Sequence, residues 1–289
     1  MRNRIRSGLV IAERQLLESL LSPGYYIILA VSVALGCLLA AAFAGSVDSS
    51  GFNPQMSPVY DLIFRSLAGA FGDAFVDKLF AEGPFLFALL AAWLPLSLYL
   101  ALASVLRFGQ EKNAGAVELL VYGPADGTSY LLATFFRDLV LSAISLVVIA
   151  VTLLVAALIG NLAPGPLFFW SLALLFLLSL PFFAYGILCS ILTAGSSSAV
   201  ALFIGITLVF CIILAGSFAI TGSSVRTLSS AAGAVLSWIS PFFYAGVFYR
   251  GVQAGNALAA AAGMVLLALL AAGLLALGRL AFQRKGVRA

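Results

Sequence analysis

The sequence predicts an all-α integral membrane protein with six membrane-spanning helices. Of its 289 residues, 63 % are hydrophobic and only 9 % are charged, whereas a soluble domain of this length runs nearer half apolar and a quarter charged. Mean hydropathy is +1.14. The apolar residues gather into six runs, each near the ~20 residues that a helix needs to cross a bilayer. In hydrocarbon the backbone must satisfy its own polar groups, so such runs are helices. The period-two alternation of a membrane barrel is missing. Residues 1–289 therefore read as one continuous membrane domain.

Residues 1–24 form a lead-in. Leu9, Leu16 and Leu20 recur at helical spacing, as do Val10, Leu17 and Leu21, which is the pattern of an amphipathic helix lying at the membrane interface. Glu13 falls within the apolar face, and Arg14 follows it. Ser22-Pro23-Gly24 breaks this helix and turns the chain into the bilayer. The first span is 25–45. Ala42-Phe43-Ala44 has the look of a signal cleavage site. The apolar run before it is longer than an h-region of about 7–15 residues, so an uncleaved span is expected.

An external loop, 46–83, follows. Tyr60, Ile63, Phe64, Leu67, Phe71, Ala74 and Phe75 fit the helical template, with Asp61, Arg65 and Gly72 opposite. This predicts an amphipathic helix that rests on the outer membrane face or caps the spans.

After the second span, 84–106, comes "GQEKNAGAVELLVYGPADG", with Glu111, Lys112, Glu118 and Asp126 charged. Residues 111–122 suit a helix, and Gly123-Pro124 stops it. Asp126, Thr128 or Ser129 can cap the next helix. From Thr128 to Gly160 the pattern is unbroken, about 50 Å of helix against a hydrocarbon core of about 30 Å. The third span, 139–160, therefore protrudes from the membrane. Region 111–126 becomes a short helix held away from the bilayer. Val117, Leu120 and Val121 give it a small apolar face within a polar rim, a mix suited to docking a soluble protein.

The remaining spans are 167–193, 199–220 and 257–278. Only the turn "TAGSSSA" joins the fourth and fifth. Trp238, Phe242, Phe243, Tyr244 and Tyr249 lie before the last span and suit the headgroup level. The alanines and glycines of the last span permit close helix packing, as at a subunit interface. The tail is 279–289.

Eleven of the fifteen basic residues lie in the lead-in, the region 107–137 and the tail. Six spans put these regions on one side. The positive-inside rule makes that side the cytoplasm, with both termini there and the chain in the cytoplasmic (inner) membrane.

Histidine is absent, which removes the usual general base and commonest metal ligand. Cys37, Cys189 and Cys211 stand singly in apolar runs, the pattern of buried hydrophobes rather than of zinc ligands or disulfides. No catalytic, cofactor or metal site is predicted, and no nucleic-acid partner. No GxxxxGK[ST] phosphate loop is present.

"QEKNAGAVELLVYGPADG" resembles the segment after the second span in type-2 (ABC-2 type) ABC transporter permeases. The matching residues are Glu111, Lys112, Gly115, Glu118, Leu119, Leu120 and Pro124. The family's common threonine is replaced by Ala116. "AERQLLESLLSPGYY", which includes Glu13, Arg14, Ser22 and Pro23, is similar to the family's lead-in. "SPFFYAGVFYRGV" is similar to its segment before the last span. The lead-in and long first external loop look most like the branch that includes gliding-associated permeases. The resemblance implies a transport permease, by family expectation an exporter, working by alternating access. It implies a separate ATP-binding subunit docked on 111–126 as a coupling helix, with ATP held there and hydrolysed there. It also implies a second permease subunit, as a homodimer or heterodimer. The external loop offers a surface for an accessory protein.

Two alternatives remain at this point. A gradient-driven secondary transporter usually carries acidic groups within its spans, and the spans bounded above hold none, although sodium sites can use carbonyls. A non-transporting scaffold would use the same docking helix for another partner. An intramembrane serine or zinc protease would want histidine.

Overall fold

The computed structural model describes residues 2–48, 51–52, 56–71, 84–114, 127–162, 164–219 and 238–285. The described residues are almost entirely helical. Helix α1 (Arg2–Leu20) is followed by α2 (Pro23–Ala44), with Pro23 at its first turn. There a missing N–H costs nothing, because no partner lies upstream. Beyond α2, Val47–Asp48 pairs antiparallel with Gly51–Phe52. This two-residue ladder is the described departure from an all-α chain, and it sits where the sequence turns polar.

Helix α3 (Pro58–Phe71) lies within the 46–83 stretch, where a helix is expected. Its Tyr60 is fully buried against Phe43, Ile63, Phe64 and Phe87. Asp61 and Arg65 form an i, i+4 ion pair on the other face. Ala74 and Phe75 lie outside the described residues.

The long helices are α4 (Pro84–Asn113), α5 (Gly127–Ile159), α6 (Pro166–Leu192), α7 (Ser196–Ala219) and α9 (Ala257–Lys285). A short α8 (Pro241–Gln253) precedes α9. Among the described residues, five helices are long and apolar enough to cross a membrane: α2, α4, α5, α6 and α9. The chain thus has the character of a multi-pass membrane protein. The predicted fifth span, 199–220, overlaps the 24-residue α7 up to its last described residue, and the described apolar stretch there, Ser196–Cys211, is shorter than the other five.

Helix α6 is the hub, packing against α4, α5, α7, α8 and α9. Of its most apolar stretch, 72 % is buried, against 22 % for α2 and 28 % for α9, which places those two at the edge. The core between them holds Leu89, Leu96, Ile149, Leu153, Leu174 and Phe183. Polar side chains also cross this core. The Tyr25 and Ser145 hydroxyls are 2.8 Å apart. Trp93 Nε1 donates to Ser179 Oγ at 3.2 Å, and Ser142 Oγ donates to the same atom at 3.3 Å. Such bonds between spans are worth roughly 0.6 kcal/mol each, more in the best cases.

Helices α8 and α9 approach closely at Gly263. A Cβ there would lie 2.7 Å from Phe248 N and 2.9 Å from Tyr244 O. Only a residue without a side chain lets the two backbones meet at this distance.

Candidate functional site

The predicted docking residues fall into two groups. Glu111 and Lys112 lie on the last turn of α4, which runs seven residues past the predicted end of span two. They are thus part of the spanning helix. Gly115, Val117, Glu118, Leu120, Val121 and Pro124 lie outside the described residues. Helix α5 begins at Gly127, within one residue of the sequence expectation. The segment 115–126 is therefore flanked on both sides by helix continuous with a span.

Beneath these flanks sits a second apolar cluster. Phe108 on α4, Tyr130 and Leu131 on α5, and Ile187 and Ile191 on α6 are buried, with Ile11 of α1 and Phe282 of α9 packed against them. The Phe108 and Tyr130 rings meet at 5.6 Å. Five helices are thus fastened at this end of the bundle.

Over that cluster runs a polar network. Arg107 Nε donates to Glu111 Oε1 at 3.2 Å, one turn along α4. The same guanidinium pairs with Glu18 of α1. The Tyr130 hydroxyl of α5 donates to Glu111 Oε2. Arg107 is only a quarter exposed and Glu111 likewise, so water screens these pairs less than it would on an open surface. Arg14 Nε reaches Glu18 at 2.9 Å, but Arg14 is exposed and this bond contributes little. Lys112 Nζ donates to the Thr193 carbonyl at 2.9 Å, which ties the end of α4 to the end of α6. Close by, a Cβ on Gly109 would lie 2.8 Å from Ser196 Cα, the first residue of α7.

Helix α1 is fixed by its inner face. Ala12 and Gln15 are buried, and Leu16 and Leu20 pack on the main core. The second predicted stripe, Val10, Leu17 and Leu21, is exposed. Glu13 is exposed too. Ser22 and Pro23 form the turn into α2, as expected from the helix-breaking Ser-Pro-Gly. The sequence did not single out Glu18, although it pairs with Arg107 in this polar network.

One buried pair escaped the sequence reading. Arg137 and Asp138 are 3 % and 1 % exposed and pair at 2.6 Å. Asp138 stands one residue before the predicted start of the third span, which is why the spans counted as free of carboxylates. In the structure it lies inside the apolar helix α5 and packs against its neighbours. The available signal was two adjacent charges within 33 otherwise uncharged residues.

No protein-family model matches the chain, and no curated protein is significantly similar to it.

Proposed function

We propose that this chain is the membrane-spanning permease subunit of an ABC transporter, an exporter of the type-2 class. It has six spans, with α7 as the fifth, and both termini in the cytoplasm. A separate ATP-binding subunit docks on the 111–126 region, and ATP is bound and hydrolysed there, not on this chain. A second permease subunit completes the pathway. The observation that carries this reading is the network joining Glu18, Arg107, Glu111 and Tyr130. It braces both helices that flank the docking segment and fastens them to α1. A motor pushing on 115–126 would act on rigid levers continuous with spans two and three, and α1 would move with them. The resemblance of the 110–127 segment supplies the identity of the motor.

The test is purification of the tagged chain from its native membrane in mild detergent, with mass spectrometry of the proteins retained. A stoichiometric P-loop ATPase is expected, and a second permease in the same preparation would fix the dimer type. Recovery of the chain alone, with no ATPase activity and with complexes shown to survive the detergent, would refute the proposal.

A gradient-driven carrier is the second reading, and Asp138 favours it. A carboxylate buried in a spanning helix is a costly feature that usually serves a function. Transport by the purified chain that follows an imposed ion gradient without ATP would decide for it.

A further inference from the structure

Between α1, the start of α2 and the facing stretches of α4 and α5 lies a cavity of about 320 Å³. Arg137 and Asp138 line it, and both are almost wholly buried. Their pairing is one-sided. Arg137 Nε and Nη2 both donate to Asp138 Oδ1, at 2.9 and 2.6 Å. Arg137 Nη1 is left uncommitted among the described residues. Asp138 Oδ2 is buried beside the Ser104 hydroxyl of α4, and neither atom makes a hydrogen bond of ordinary geometry among the described residues. A buried ion pair needs its remaining protons and lone pairs met. This one offers a charged donor and a charged acceptor side by side, both unfilled.

Charge narrows the ligand. The cavity's charged lining residues are Glu18, Arg107, Arg137 and Asp138, two of each sign. A zwitterion enters such a site without leaving net charge in a poorly solvated place, whereas a simple anion or cation does not. Size and position narrow it further. The volume is at the small end of ligand pockets, which run about 300–1,000 Å³. Leu100, Ala103 and Leu141 give the cavity an apolar wall, and α1, with Leu17 and Leu21 exposed, forms its rim. We propose that this cavity binds a phosphoethanolamine group, with its ammonium on Asp138 Oδ2 and its phosphate on Arg137 Nη1. The same chemistry comes as the headgroup of a phospholipid or as a soluble molecule, and the test separates the two. The proposal stands apart from the transporter class.

The full-length chain in detergent is exposed in turn to phosphatidylethanolamine, phosphatidylcholine and phosphatidylglycerol with identical acyl chains. Retained lipid is then read by native mass spectrometry. Phosphatidylcholine keeps the phosphate but has no N–H donor, and phosphatidylglycerol is a net anion. Phosphatidylethanolamine is expected to be retained about tenfold better than either, the scale of a hydrogen bond to a charged group. Ala103→Leu fills the apolar wall without touching the ion pair and should abolish the preference. Asp138→Asn should do the same, and a size-exclusion profile shows whether each variant is folded. Displacement of bound lipid by soluble glycerophosphoethanolamine, which keeps the headgroup's phosphodiester and its zero net charge, would assign the site to the free molecule, and resistance to displacement would assign it to the lipid. Equal retention of the three lipids by the unaltered chain, or a preference that survives in folded Ala103→Leu, would overturn the proposal.

Discussion

The Tyr60 hydroxyl donates to the Leu39 carbonyl at 3.1 Å, and the whole side chain is buried where α3 meets α2. Burial pushes the phenol well above its ordinary value of 10. The sign follows from the neutral form being the one that fits. The contact contributes fully below about pH 10, the unfolded value, and is lost as pH rises through the higher folded value. Tyr60→Phe should therefore remove one phenol that resists ionisation, seen by ultraviolet titration as the difference between the variant and the unaltered chain. It should also cost about 1 kcal/mol, read as a lower thermal midpoint or faster proteolysis of the 46–83 loop. Tyr60 was legible in the sequence because its neighbours Ile63 and Phe64 repeat at helical spacing. Asp138 was not. Its burial depends on α4 and α1, which supply Ser104, Arg107 and the cavity wall from residues far away in the chain. A hydropathy window sees a charge at Asp138 and ends the span there.

Among the elements, α5 was read almost to the residue, because a largely apolar run of 33 residues lies between the sequence breakers Gly123-Pro124 on one side and Gly160 on the other. Helix α4 was cut short at 106. Arg107, Glu111 and Lys112 are good helix formers, but they carry no apolar periodicity, and what extends the helix is pairing with Glu18 and Tyr130. Tight approach between elements was legible only as composition. Gly263 illustrates this, since "AAAAGMVLL" suggests close packing without saying against what. Gly263→Leu should drive α8 and α9 apart and destabilise the protein by about 1–3 kcal/mol, seen as early aggregation on heating in detergent. Gly273→Leu, where an added Cβ would meet nothing within 4 Å, should leave the melting profile unchanged.

For the whole molecule, the number of crossings decides where the ends lie. With six spans, reporters fused before Arg2 and after Ala289 should both read the cytoplasmic side, as the bias of basic residues requires. If the two reporters fall on opposite sides, α7 does not cross. The bundle's overall class was plain from composition, since no soluble core could hold so much apolar surface. The polar fastenings at one end were not, because those that tie α4 to α1 and α6 join residues some 80 or more positions apart, Lys112 to Thr193 and Arg107 to Glu18. One of these joints sets how α4 and α7 can travel. At Gly109 the clearance to the Ser196 backbone is too small for even a methyl group, and one turn further Lys112 grips the turn that leads into α7. A bearing with no backlash passes on every small stroke of its shaft. Any shift of the end of α4 along its own axis would press directly on the start of α7 and pull on the α6–α7 turn through Lys112.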